Sequence, residues 1–183
     1  LFRGLGFLLF AATLTSCGGS ETLKAPQTTA IPEIPAIIPL PAQVSWEERA
    51  YAIPVENNIC YSGEAQEAAQ WIETLLSKAG FSVSANASAN CGNWRIEQDS
   101  SLNATLGEEG YQLKISEEGV LLKAASKAGL FYGIQTLRQM FPAQIESEGL
   151  KGGVVLRHTS IEDKPEFGWR GTMVDVARSF FDL

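Results

Sequence analysis

Side chains able to do chemistry are sparse in this chain: 183 residues hold one His, three Cys and 21 Asp and Glu. A nucleophile needs an adjacent base, and a metal needs convergent ligands. His158 follows Arg157 in an extended run with no Ser or Cys constellation around it, and reads as an ordinary surface or interface histidine. Glu108-Glu109 and Glu117-Glu118 could be taken for a general acid and base, but each pair flanks a Gly in a turn, the usual setting of a solvated acidic face. A zinc site would have to lean on carboxylates, and neither C-x-x-C nor H-E-x-x-H spacing occurs. No metal and no cofactor is expected. Trp46, Trp71, Trp94 and Trp169 could stack on sugars, yet they are scattered over four elements, as core or inter-domain residues would be.

Composition sets the frame for these residues. The chain is 45% hydrophobic and 19% charged, far from the polar, highly charged corner where chains stay disordered. Its net charge of -7 leaves no broad basic surface to neutralise phosphates, so nucleic acid is not an expected partner. The length suits about one domain and falls short of the roughly 250 residues of a (β/α)8 barrel, so any barrel here is incomplete. The chain starts at Leu1 and stops at Leu183 directly after an apolar-aromatic run, which reads as cut at both ends.

Residues 1–17 carry Arg3 and then an apolar run from Leu5 to Leu14, too short to span a bilayer but suited to a signal-peptide core. The run ends in Leu14-Thr15-Ser16-Cys17, which resembles the lipobox of bacterial lipoproteins, where the Cys becomes a lipidated N-terminus. Cys17 would then anchor the protein to a membrane. Gly18 after it implies, by the same resemblance, an exported protein that is periplasmic or held at the outer membrane. Residues 18–43 hold five of the eight prolines and read as a stiff linker. Cys60 and Cys91 remain as an even pair, either a disulfide closing a 31-residue interval or two buried free thiols. Asn86-Ala87-Ser88 and Asn103-Ala104-Thr105 match the glycosylation sequon but read as plain loop residues behind a bacterial lipobox.

Residues 44–160 form the expected folded domain. Tyr51, Ile53 and Val55 alternate as a strand until Asn57-Asn58 interrupts, and Ile59 and Tyr61 resume it. From Ser62, a candidate N-cap, to Ala79, apolar residues recur at helical spacing, and Gly80 stops them. Strands are predicted at Phe81–Ala85 and Trp94–Glu97. Tyr111–Ser116 and Val120–Ala124 form a hairpin, with Gly119 supplying a positive φ. A second helix runs from Ser126 to Phe141, stopped by Pro142. The order β-α-β-β-β-β-α predicts a two-layer α+β domain with two helices on one face of a mostly antiparallel sheet.

Two long motifs carry a resemblance. Leu106-Gly107-Glu108-Glu109-Gly110-Tyr111-Gln112-Leu113-Lys114-Ile115 and Gly129-Leu130-Phe131-Tyr132-Gly133-Ile134-Gln135-Thr136-Leu137-Arg138-Gln139 resemble the N-terminal accessory domain of bacterial β-N-acetylhexosaminidases, glycoside hydrolase family 20. Residues 161–183, with Trp169-Arg170-Gly171 and Asp175, resemble the entry to that family's catalytic barrel and imply its first strand, truncated here. The resemblance implies removal of terminal β-linked N-acetylglucosamine or N-acetylgalactosamine from oligosaccharides or glycoconjugates. The substrate's acetamido oxygen takes the place of an enzyme nucleophile. A neighbouring Asp-Glu pair does the protein's share, and its positions lie beyond Leu183, so no catalytic residue falls in this chain. The Arg of the Arg-Gly pair matches Arg170 and implies a substrate contact, for which a guanidinium with five donors is suited. Barrel geometry alone would choose Asp175 and Arg178, nearer the strand's C-terminal end. Asp175 is kept as a partner of Arg170; alternatively, the two only form a structural ion pair. Arg178-Ser179 departs from the Arg-His pair of many relatives. The alternative from another class is a non-catalytic surface lipoprotein whose α+β domain binds glycan or protein.

Overall fold

Alternating apolar residues lay down a sheet whose inner side becomes one face of the core. The computed structural model describes residues 30–88, 92–146, 150 and 152–174. Its strands are β1 (Gln43–Ala52), β2 (Glu56–Ser62), β3 (Ser82–Ala87), β4 (Trp94–Gln98), β5 (Tyr111–Ser116), β6 (Gly119–Ala124) and β7 (Val155–Asp163). Its helices are α1 (Gln66–Lys78), α2 (Asn103–Leu106) and α3 (Lys127–Met140). The sheet has seven strands in the order β1-β7-β5-β6-β4-β2-β3. Helix α1 packs on β2 and β3, α3 packs on β5 and β6, and the two helices touch. Ile59, Trp94, Ile96, Leu113, Ile115 and Leu122 are buried in the layer between. Gln112, Lys114, Arg95, Glu97 and Lys123 alternate with them on the other side, more open to solvent.

The fold is α+β as expected, but the sheet is mixed rather than mostly antiparallel. The pairs β1/β7, β5/β7 and β5/β6 are antiparallel, whereas β2/β3, β2/β4 and β4/β6 are parallel. Helix α1 is the crossover that lets β3 return parallel to β2, a direction that apolar alternation does not encode. The predicted hairpin stands, with Gly119 at φ 118. A third helix, α2, follows a short turn at Ser100–Leu102 that Asp99 caps by accepting from the Ser101 amide at 3.0 Å.

Two element boundaries move for identifiable reasons. Asn57 and Asn58 do not interrupt a strand but lie inside β2, because the Asn57 side chain is a buried junction. Its Oδ1 accepts from Trp94 Nε1 at 2.9 Å and from Asn93 Nδ2 at 2.8 Å, and its Nδ2 donates to the Pro54 carbonyl at 2.8 Å. Ser62 does not cap α1, since it pairs with Glu97 in the sheet. Gly63 turns the chain at φ 65, and Gln98 Oε1 accepts from the Glu64 amide at 2.7 Å. Ser126 caps α3 as the pattern predicts, accepting from the Ala128 amide at 3.1 Å.

The described part of the Pro-rich stretch lies along the domain. Ile37 is buried, the Pro32 carbonyl accepts from Arg157 at 3.0 Å, and the Ile38 amide donates to Gln139 Oε1 at 2.9 Å. At the other end, β7 carries Ile161, Glu162 and Asp163 into the sheet. Among the described residues no strand follows Asp163. Nor is any helix among them long and apolar enough to cross a membrane.

Candidate functional site

The first of the two long motifs ends on a turn and a strand, the second on a helix, and glycines press the two together. A Cβ on Gly129 would collide with the Gly110 carbonyl oxygen, and one on Gly110 would collide with the Leu106 carbonyl. Ser126 Oγ donates to the Glu108 carbonyl at 2.6 Å and ties the turn to the start of α3. The backbone contact brings Glu109, just before β5, beside Tyr132 in α3; the Tyr132 hydroxyl donates to Glu109 Oε1 at 3.3 Å.

Arg170 closes onto this pair. Its Nη2 donates to Glu109 Oε1 at 2.7 Å and to the Tyr132 hydroxyl at 3.2 Å, and the guanidinium carbon sits 5.7 Å from the centre of the Tyr132 ring. Nη1 donates to the Phe167 carbonyl, and Lys164 Nζ donates to the Thr105 carbonyl at 3.1 Å, so two points fasten the segment after β7. The Tyr132 hydroxyl first, and Glu109 next, push the Arg170 pKa up from its ordinary value. Exposed apolar side chains lie on the same two segments as the cluster: Phe131 on α3, and Phe167, Trp169 and Met173 after β7. A groove of about 210 Å³ between α1 and α3 is lined by Trp71, Leu130, Phe131 and Ile134.

Sequence reasoning singled out Arg170 but took Glu109 for part of a solvated face, and it passed over Tyr132 as a site residue. The available signal was that both sit in the two quoted motifs, each beside a Gly that the close packing needs. Asp175, Arg178, Cys17 and Cys91 lie outside the described residues. Cys60 is buried on β2 and disulfide-bonded. His158 is buried on β7, not at the surface: 3% of it is exposed, and Nδ1 lies 3.7 Å from Glu47 Oε2. Trp94 is core, Trp46 and Trp71 pack partly buried against it, and Trp169 stands out at 86% exposed. Among the described residues no group of three His, Cys, Asp or Glu could hold a metal ion. The cluster offers a guanidinium donor, a carboxylate acceptor and an aromatic face, groups suited to binding and orienting polar ligands.

The sequence profile of glycosyl hydrolase family 20, domain 2, matches residues 34–164. The chain is 33% identical over 153 residues to a β-hexosaminidase of Porphyromonas gingivalis, covering 80% of this chain and 19% of that protein. Among solved structures it is similar to the N-acetyl-β-hexosaminidase of Streptomyces plicatus, with a TM-score of 0.72 and 32% identity over 84% of this chain and 32% of that one. The β-N-acetylhexosaminidase of Streptomyces coelicolor gives a TM-score of 0.69 and 34% identity over 79% of this chain and 29% of that one. The chain thus spans about a fifth of the first relative and about a third of the solved structures.

Proposed function

The chain belongs to glycosyl hydrolase family 20, and from that membership we propose that it is the N-terminal part of an exo-β-N-acetylhexosaminidase. The observation that carries this reading is the family match across the whole α+β domain, joined to relatives that are β-hexosaminidases. The enzyme removes terminal β-linked N-acetylglucosamine or N-acetylgalactosamine with retention. The substrate's acetamido oxygen bonds to the anomeric carbon as the glycosidic bond breaks. A protonated Glu gives its proton to the departing oxygen, and water then reopens the ring so formed. An adjacent Asp orients the acetamide. Both carboxylates belong to the family's catalytic barrel, and neither role is assigned to a residue of the α+β domain.

Arg170 contributes hydrogen bonds to hydroxyls of the terminal sugar, and Asp175 is its ion-pair partner. The α+β domain braces the barrel through the helix side, a role supported by the exposed Phe131, Phe167, Trp169 and Met173 and by the groove between α1 and α3. Export follows the signal-like run, with Cys17 lipidated and the protein periplasmic or at the outer membrane. Cys60 pairs with Cys91, which suits an oxidising compartment. The test is hydrolysis of a chromogenic N-acetyl-β-glucosaminide by the full-length gene product. Activity is expected there and absent from residues 30–174 alone; a full-length product that releases no chromophore overturns the reading.

A further inference from the structure

We infer that Glu109 and Tyr132 are positioning residues for Arg170, so that the α+β domain, and not the barrel alone, aims the guanidinium that meets the sugar. The inference rests on the reading of Arg170 as a substrate contact. Both residues are held by contacts that do not involve Arg170. Glu109 is set by the turn that Gly110 and the Ser126 hydroxyl hold against α3, and Tyr132 is one turn into that helix. The pair then grips the guanidinium in three ways: a 2.7 Å charge-assisted bond that Arg170 donates to Glu109 Oε1, a 3.2 Å bond that it donates to the Tyr132 hydroxyl, and the Tyr132 ring at 5.7 Å. Bonds to two acceptors fix the tilt of the guanidinium plane as well as its position. A guanidinium carries five N–H donors. Glu109, Tyr132 and the Phe167 carbonyl take three, which leaves two to be divided between Asp175 and the sugar. A freely rotating Arg would have to be ordered by the sugar itself, at a cost in side-chain entropy; one already held presents those donors in place.

The experiment measures kcat and KM of the full-length gene product on a chromogenic N-acetyl-β-glucosaminide, for Glu109→Gln, Tyr132→Phe and Arg170→Ala and for the Glu109→Gln/Arg170→Ala double variant. Glu109→Gln is expected to lower kcat/KM about tenfold and Tyr132→Phe a few-fold, with thermal midpoints unchanged, because each loses a bond to a charged group. In the double variant Glu109→Gln is expected to add nothing to the loss from Arg170→Ala, since its effect runs through that side chain. A role in folding alone would instead lower the midpoint and add fully to the Arg170→Ala loss. If Arg170→Ala lowers kcat/KM but Glu109→Gln and Tyr132→Phe do not, the positioning role is overturned while the substrate contact stands. Should Arg170→Ala itself be without effect, the reading beneath it falls first.

Discussion

Asn57 shows how a single side chain can make a polar residue part of a core. It serves Trp94, Asn93 and the Pro54 carbonyl at once, and Asn93 also donates to the Tyr51 hydroxyl at 2.8 Å. Replacing Asn57 with Ala strands the buried Trp94 N–H and removes one partner of the part-buried Asn93 amide, so urea unfolding is expected to show a loss of about 1–3 kcal/mol, the cost of one unsatisfied buried group. Tyr111 is the second such residue: its hydroxyl bonds Thr136 Oγ1 at 2.6 Å and donates to Asp163 Oδ2 at 3.2 Å. Burial is the main cause that pushes its pKa well up from the ordinary 10.0. The folded form therefore keeps a proton that the unfolded chain gives up above pH 10, so the stabilisation is whole below that pH and is lost as pH rises beyond it. Unfolding free energies measured from pH 9 to 11 should fall with pH, and fall less steeply in Tyr111→Phe. Neither role was visible in the sequence, where Asn57-Asn58 reads as a break and Tyr111 as one inward residue of an alternating strand. Alternation gives the side of the sheet a residue faces, not the partner it meets there.

The two long helices and the β5–β6 hairpin were legible because their signals are local: helical apolar spacing ended by Gly80 or Pro142, the Ser126 cap, and a Gly at the turn. Strand direction was not, since β2, β3, β4 and β6 run parallel through crossovers that only the assembled sheet reveals. The packing of α3 against the turn before β5 depends on Gly129, where a Cβ would meet the Gly110 carbonyl oxygen and the Ala124 side chain. Gly129→Ala is accordingly expected to destabilise the chain by about 1–3 kcal/mol, despite Ala's better helix propensity, because overpacking at a backbone contact outweighs it. A thermal midpoint equal to or above the parent's would show that the helix can move aside at no cost.

At the scale of the whole molecule, two segments flank the domain. The Pro-rich stretch leads from Cys17, and residues 164–174 lead on from β7 through the Arg170 clamp. On the lipoprotein proposal, labelled palmitate should be incorporated when the complete gene product is made in a bacterial host, and Cys17→Ala should abolish the label; a label that persists would remove Cys17 as the anchor. The site was half legible in the sequence. Arg170 stood out through its motif, but its grip on Glu109 and Tyr132 joins positions 61 and 38 residues away, and only folding brings them together. The measurement that bears most directly on the account is proton NMR of the first sugar released by the full-length gene product from an aryl N-acetyl-β-glucosaminide, with the matching aryl β-glucoside alongside. The account predicts β-N-acetylglucosamine as the initial product and no cleavage of the glucoside, which lacks the acetamido oxygen. Initial release of the α-anomer, or comparable cleavage of both substrates, would contradict it.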